Sequence, residues 1–232
     1  MKFENTEVFN FRNAIRGMRN PLESWSKSDS YYLNDKYIIG QNDLDLAQKL
    51  IKAGSEHRKF MRQIMVSVNI TAPVYWWRDM DQYKVGTVTN STSTMHKLAS
   101  TPITLDRFEM DDYSELTFEK TDQSGVTEAG KEIGYTAHWH LESEVEQHLE
   151  FLEDLRKKYL ETKDQRYWKE LVRWLPNGWV QTRTITMNYE NILNICKQRK
   201  NHKLTEWSKG FIGWAKTLPY AQELIFIDEV EE

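Results

Sequence analysis

The sequence predicts an α+β fold, a single helix-rich domain with a modest antiparallel sheet. Residues 64–68 alternate apolar and polar side chains, which is typical of a strand. Apolar residues between positions 145 and 159 recur at steps of three and four, which is typical of a helix with one buried face. The chain has only 5 prolines and 10 glycines among 232 residues and shows neither a repeat nor a linker-like segment. We therefore expect one domain spanning residues 1–232.

Composition and charge exclude several classes of protein. A hydrophobic fraction of 39% with 12% aromatic residues is enough for a sizeable core. The chain carries 31 basic against 35 acidic residues, a net charge of −4, so we expect no nucleic-acid polymer and no acidic membrane as partner. No run approaches the ~20 apolar residues of a spanning helix, and residues 1–20 do not resemble a signal peptide. Cys196 is the single cysteine, which excludes an internal disulfide and fits a cytoplasmic location.

The first half of the chain is predicted to contain two helices and at least one strand. A helix is expected from residue 43, with Asn42 or Asp43 as its cap and Gly54 as its stop. The strand at residues 64–68 is followed by Pro73, which suits the first position of a short aromatic helix over residues 74–81. Residues 83–96 are polar and rich in Thr and Ser, so we predict a strand or a loop there and no helix.

The second half adds further helices and one strand. Residues 122–134 contain three of the ten glycines and are predicted to form a surface loop. Helices are expected over residues 145–159 and 164–175, followed by a strand over residues 179–187. Asn188 then caps a helix that carries apolar side chains at positions 192, 193, 195 and 196. A last helix is expected over residues 204–217.

One polar segment carries a family resemblance. After Ala72-Pro73 the chain reads QYKxxTxTxxTxT, beginning with Gln82, Tyr83 and Lys84. This segment resembles the signature RHRxxSxNxxSxR of the flavin-dependent thymidylate synthases, the ThyX family, which also follows an Ala-Pro helix. Thr87 and Thr92 keep hydroxyls at the two Ser positions, whereas most of the charged residues of the signature are exchanged. The frame of the motif is therefore kept and its cations are mostly lost.

A second segment, residues 175–199, lies over another stretch of that family with equal spacing. It reads LPNGWVQTRTITMNYENILNICKQR and keeps Asn188, Asn194 and Arg199. The Arg of the family's Asn-Ala-Arg is Glu190 here, a reversal of charge. A Glu-Trp pair at residues 206–207 and the sequence GSEH at residues 54–57 also resemble family motifs. The resemblance spans residues 44–224 and rests on the segments following one another in the same order as in the family.

The resemblance implies a fold, an activity and partners. The family has a twisted antiparallel sheet flanked by helices and assembles as a homotetramer with active sites shared between subunits. Its FAD accepts hydride from NADPH, and methylenetetrahydrofolate provides the carbon delivered to C5 of dUMP, without a protein nucleophile. This chain is thus expected to be a thymidylate synthase-like enzyme or a variant with altered carbon chemistry. The alternative is a non-catalytic nucleotide-binding protein, acting as sensor, sponge or partner subunit, and a purely structural role is the third possibility.

The resemblance also implies site residues. Substrate contacts are expected from Arg199, Thr92, Ser93, Thr94, Asp79 and Arg173. Cofactor contacts are expected from Gln82, Tyr83, Lys84, Asn90, Asn188 and Asn194. No catalytic side chain is assigned, because the family's reaction requires no protein nucleophile. No metal ligand is assigned, because the two imidazoles of His138 and His140 lack a third nearby ligand.

Each of these residues also has a plainer interpretation. The planar fork of Arg199 suits a phosphate or a pyrimidine, but a cation at a helix end is favoured by the helix dipole alone. Asn188 is explained by capping, and Asn194 by an ordinary polar helix position. The exchanges at residues 82–84 weaken anion binding, and Arg78 or Arg173 could compensate, although either fits a surface position equally well.

Overall fold

The computed structural model describes residues 1–110, 117–126 and 132–229, with side chains described over residues 1–110 and 143–228. In chain order the strands and helices are β1 (Lys2–Phe9), α1 (Phe11–Met18), β2 (Tyr31–Leu33), β3 (Lys36–Ile38), α2 (Gln41–Lys52), β4 (Met65–Pro73), α3 (Val74–Met80), β5 (Val88–Ser91), α4 (Thr94–Lys97), β6 (Thr117–Val126), β7 (Glu132–His140), α5 (Leu141–Thr162), α6 (Gln165–Trp174), β8 (Val180–Asn188), α7 (Tyr189–Arg199), α8 (Ile212–Lys216) and α9 (Ala221–Leu224). Short 3₁₀ turns include Lys59–Gln63, and a π-helix spans Glu206–Phe211.

The chain divides into two compact units. The first combines Met1–Ser91 with the described part of Gln181–Glu232, and the second is Thr92–Val180. The first unit contains a four-stranded sheet of order β1-β4-β8-β5, in which β1 pairs antiparallel with β4 and β5 pairs antiparallel with β8. The predicted α+β class with an antiparallel sheet flanked by helices is confirmed. The single domain over residues 1–232 stays a prediction.

The alternation predicted around residue 66 extends along β4. Val66, Val68 and Ile70 are buried on the core side of the sheet. The other side carries hydroxyl and amide groups that bond between strands: the Thr184 hydroxyl donates to the Asn69 amide oxygen at 2.7 Å, and the hydroxyls of Thr71 and Thr182 lie 2.7 Å apart. One face of the sheet is therefore apolar and the other is polar.

Helices α3 and α7 supply much of the core of the first unit. The helix after Pro73 buries Trp76 and Trp77 completely, as expected for core residues. The helix after Asn188 buries the predicted apolar set, Ile192, Leu193, Ile195 and Cys196. Because two tryptophans and a run of branched side chains are excluded from water together, both segments of the family resemblance are fixed to one apolar core.

Helix α2 begins differently from the prediction. It starts at Gln41, with Gly40 at the cap position, and its first N–H groups are satisfied by a distant side chain: the Asp29 carboxylate accepts from Asn42 N and Asp43 N at 2.9 and 3.1 Å. Asp43 is instead buried and accepts from Arg19 Nε at 2.5 Å. Capping by a residue 13 positions earlier leaves no local signal, so the predicted cap was wrong.

A second prediction was wrong, and a third was confirmed in part. Residues 122–134, predicted as a loop, include the paired ends of β6 and β7, where Asp122 pairs with Tyr135 and Gly125 with Ile133. Strand pairing provides backbone partners for the paired residues of β6 and β7 despite the polar composition of the segment. The polar stretch predicted as a strand or loop forms strand β5, as predicted, but it ends in α4, which Ser93 caps by accepting from His96 N at 3.2 Å. Among the described residues, no helix is long and apolar enough to cross a membrane.

Candidate functional site

The two segments that resemble ligand-binding stretches lie against each other in the first unit. Strand β5 pairs with β8, with Val88 opposite Thr186 and Asn90 opposite Thr184. The Asn191 amide donates to Val85 O at 2.8 Å, and Gly86, with a φ of 77°, packs against the Asn188 side chain. The start of α7 and the polar stretch after Lys84 are thus in direct contact.

At the other end of α7, Arg199 is the centre of an aromatic cluster. Its Nε donates to the Tyr83 hydroxyl at 2.9 Å, and its guanidinium carbon lies 4.9 Å from the centre of the Trp207 ring. Its Nη1 lies 3.4 Å from an Asp79 carboxylate oxygen, and its side chain is only 20% exposed. We call Arg199, Tyr83, Asp79 and Trp207 the Arg199 cluster. Three of its members, Arg199, Tyr83 and Asp79, are among the predicted site residues.

Neighbouring side chains fix the orientation of the Arg199 cluster. The Tyr83 hydroxyl donates to Gln198 Oε1 at 3.0 Å, so the phenol both accepts from Arg199 and donates to the preceding residue. His202 Nε2 lies 3.9 Å from the same Asp79 oxygen that faces Arg199. The guanidinium is therefore held next to the Tyr83 and Trp207 rings by groups on either side.

Trp207, a member of this cluster, and Trp76, which packs against it, are both fully buried. Within the described residues, the indole N–H groups of Trp76 and Trp207 are buried and make no hydrogen bond. The two rings pack at 4.6 Å between centroids, and Trp207 belongs to the π-helix, a distortion often found at functional sites. In the same π-helix, buried Glu206 accepts a hydrogen bond from the Tyr75 hydroxyl. Unpaired buried donors are costly, so they indicate a place where a bound group could supply acceptors.

The remaining residues of the QYKxxTxTxxTxT segment lie mostly at the surface. Gln82 and Lys84 are exposed, and the Gln82 amide approaches Arg78 O at 3.4 Å. Asn90 is exposed on β5. The Thr87 hydroxyl donates to Tyr83 O and so steadies the turn that presents these residues. Their side chains are available to a ligand, although none is gathered into the Arg199 cluster.

Asn188 and Asn194 each have a structural partner. Asn188 Oδ1 accepts from Asn191 N at 2.9 Å while Asn188 N donates to Asn191 Oδ1 at 3.1 Å, a reciprocal cap that confirms the predicted N-cap. Asn194 Oδ1 accepts from Arg58 Nη2 at 3.2 Å. Both amides therefore keep only part of their hydrogen-bonding capacity for a flavin.

The charge reversal at Glu190 is compensated within the chain. The Glu190 carboxylate is buried and accepts from Arg58 Nε at 3.0 Å and from Arg62 Nε. Burial alone would raise the pKa of Glu190, but hydrogen bonds from Arg62 and Arg58 outweigh burial and lower it. We call Glu190, Arg58 and Arg62 the Glu190 cluster. The sequence interpretation missed both arginines, although Arg58 directly follows the GSEH stretch and Arg62 comes four residues later.

The other predicted substrate residues belong to the second unit. Ser93 caps α4, Thr92 is exposed beside it, and Thr94 is the first residue of that helix. Arg173 bonds to Glu170 one turn earlier on an exposed face of α6, which matches its surface interpretation. The side chains of His138 and His140 lie outside the described residues. No group of three metal-binding side chains occurs in the described part of the chain.

Of the comparisons with known proteins, the one with solved structures finds proteins similar to this chain. No protein-family model and no curated protein sequence matches this chain. Two similar solved structures are both the flavin-dependent thymidylate synthase ThyX of Helicobacter pylori in complex with FAD and dUMP. The first has a TM-score of 0.64 at 14% identity and covers 98% of this chain and 99% of its own. The second has a TM-score of 0.64 at 13% identity and covers 100% of both chains. Over its full length, this chain therefore has a ThyX-like fold.

Proposed function

We propose that this chain is a flavin-dependent thymidylate synthase-like enzyme that acts at C5 of dUMP, by reductive methylation to dTMP or a divergent form of that reaction. The observation that carries the proposal is the full-length likeness to ThyX structures holding FAD and dUMP. The Arg199 cluster supports it, because it occupies a position matched to the family's nucleotide-binding segment.

In this proposal the Arg199 cluster binds the nucleotide. The guanidinium carbon of Arg199 lies 4.9 Å from the centre of the Trp207 ring, and the Asp79 carboxylate lies 3.4 Å from Nη1 of the same guanidinium. A half-buried guanidinium beside an aromatic wall suits a pyrimidine or its phosphate. Thr92, Ser93, Thr94 and Arg173 are proposed as further substrate contacts. This assignment rests on the family resemblance.

The hydrogen-bond donors near the Arg199 cluster are of the chemical kind that could bind a flavin nucleotide. The exposed ends of Gln82 and Lys84 can donate to an anionic group, and the unpartnered indole N–H of Trp207 needs an acceptor. Tyr83, Asn90, Asn188 and Asn194 complete the proposed set of FAD contacts. When bound, FAD would supply hydride transfer, with NADPH and methylenetetrahydrofolate as co-substrates. The chain's own groups would bind and orient the nucleotide, in a homotetramer as in the family.

A second function is favoured by the lost cations. Glutamine and tyrosine stand where the family signature has arginine and histidine, and Glu190 stands where it has arginine. Fewer guanidinium groups bind the diphosphate of FAD more weakly. The alternative is therefore a non-catalytic nucleotide-binding protein on the same fold, acting as a sensor, sponge or partner subunit.

Absorbance of the purified protein in the flavin bands tests the two proposals, before and after addition of FAD and dUMP. The enzyme proposal expects bound flavin that NADPH bleaches and dUMP perturbs. Colourless protein whose melting temperature rises with dUMP would support the nucleotide-binding alternative, since a ligand that binds only the folded state stabilises it. A response to neither compound would refute both proposals and leave a structural role.

A further inference from the structure

A cavity of about 790 Å³ lies in the first unit, where β1 passes into α1. The β2–β3 hairpin forms one side, and Pro219 and Tyr220 form another. No member of the Arg199 cluster or the Glu190 cluster lines it. Its volume is within the range of small-molecule sites. The proposed function gives this cavity no role.

Aromatic rings dominate its walls. Tyr32 and Tyr37 contact each other edge to face at 5.2 Å, and Phe11 and Tyr220 do so at 5.7 Å. Phe9 and Tyr32 leave 46% and 56% of their surfaces exposed. Exposed ring faces around a concavity gain free energy when a flat apolar group covers them.

The floor of the cavity is held in an unusual backbone conformation. Tyr220 has a φ of 55°, in the left-handed region that bulky residues rarely adopt. Its hydroxyl accepts from Ile39 N at 2.9 Å, which connects the floor to the end of the β2–β3 hairpin. The two sides of the cavity are thereby fixed before any ligand arrives.

The charges around the cavity favour an anion. Arg12 and Lys36 line it, with Asp35 as the carboxylate of the set. A second cavity of about 320 Å³ shares Arg12 and adds Arg16 and Arg19. Arg19 is paired with buried Asp43, whereas Arg12 is exposed and has no ion pair within the residues that the structure describes.

We propose that this cavity binds a small planar aromatic anion. The ring lies against Phe9, Tyr32 and Tyr37, and the anionic group faces Arg12, whose planar guanidinium suits a carboxylate or a phosphate. An aromatic carboxylate and a purine nucleotide share this chemistry. The site is independent of the nucleotide site proposed at Arg199.

Titration calorimetry of the full chain with two probes tests this assignment and separates the two sources. The probes are adenosine 5′-monophosphate and 4-hydroxybenzoate. At least one is expected to bind with a Kd below about 1 mM. Binding of the nucleotide alone identifies a nucleotide site, and binding of the benzoate alone identifies an aromatic-acid site.

Matched variants locate the binding. R12A is expected to weaken it about tenfold or more, R12K less, and Y32A about tenfold through lost stacking. Both residues are exposed, and melting temperatures verify that each variant folds. R199A is expected to leave this binding unchanged, which separates it from the proposed function. Failure of both probes to bind, or equal affinity in wild type, R12A and Y32A, overturns the proposal.

Discussion

The two ends of helix α7 use arginine in opposite ways. At its start, buried Glu190 engages two guanidinium groups, from Arg58 and Arg62. At its end, about 14 Å along the helix axis, Arg199 faces one partly exposed carboxylate and two aromatic rings. In the Glu190 cluster the buried carboxylate is fully used by the protein. In the Arg199 cluster the guanidinium belongs to a side chain that is 20% exposed and is held by a hydrogen bond to Tyr83 and an ion pair with Asp79.

This difference shows that a reversed charge need not mark a ruined site. Glu190 stands where the ThyX family has arginine, yet Arg58 and Arg62 surround it with positive charge from the 3₁₀ turn. In this chain Glu190 forms ion pairs with both arginines, so its carboxylate has structural partners. Stability is thus expected to depend on the Glu190 cluster, and ligand binding on the Arg199 cluster.

Replacing Glu190 with Ala is expected to have the largest effect on stability. It leaves Arg58, with a side chain only 14% exposed, without its carboxylate. Removing one partner of a buried ion pair typically costs about 3–5 kcal/mol in the free energy of unfolding, which urea denaturation measures. D79A is the matched control in the Arg199 cluster and should cost about 1 kcal/mol or less. Equal losses in the two variants would contradict the comparison.

Replacing Arg199 with Ala is expected to weaken dUMP binding about tenfold to a hundredfold with little change in unfolding free energy. The variant lacks the guanidinium that contacts Tyr83 and Trp207. Calorimetry measures the affinity, with R62A as the control that removes a half-exposed arginine of the Glu190 cluster. If R62A and not R199A abolished binding, the roles of the two clusters would be reversed.

Replacing Asn188 with Ala separates its capping role from a flavin contact. Loss of the bond from Asn191 N is expected to cost about 1 kcal/mol of stability. Thermal unfolding measures this loss, and N90A on exposed β5 should change stability by less than about 0.5 kcal/mol. A capping role alone predicts unchanged flavin affinity in N188A. If N188A binds flavin more weakly than its loss of stability alone accounts for, Asn188 also contacts the flavin.

Acid titration is expected to show the smallest effect. Burial raises the pKa of Glu190, but the hydrogen bonds from Arg62 and Arg58 lower it below its ordinary value of 4.5. A depressed pKa in the folded state contributes stability that is complete above the unfolded value and is lost as pH falls through the folded value. Urea denaturation below pH 4.5 should therefore be less steeply pH-dependent in E190Q than in wild type. If stability depends on pH equally in E190Q and wild type, the Glu190 carboxylate does not contribute this pH-dependent stability.

Local patterns predicted much of the fold, and tertiary contacts explain the rest. The periodicity of α5 and the cap at Asn188 are properties of neighbouring residues, so both were predicted. Strand β1 is mostly exposed and mixes charged with apolar residues, so no period identified it. The pairing of Arg58 with Glu190 spans 132 positions, and Trp207 reaches Arg199 only because the chain turns back after α7. Contacts between residues so far apart cannot be predicted from the spacing of residues along the sequence.

The positions of strand β5 and of the first turn of helix α7 both depend on Gly86. A methyl group there would lie 2.9 Å from Asn188 Nδ2 and 3.0 Å from Asn191 Oδ1, in a backbone conformation that L-residues avoid. Any side chain would act as a wedge, loosening the first turn of α7 and pushing β5 away from the rest of the sheet. Mutational tolerance at this residue should consequently be among the lowest in the molecule, although the residue itself is exposed to water.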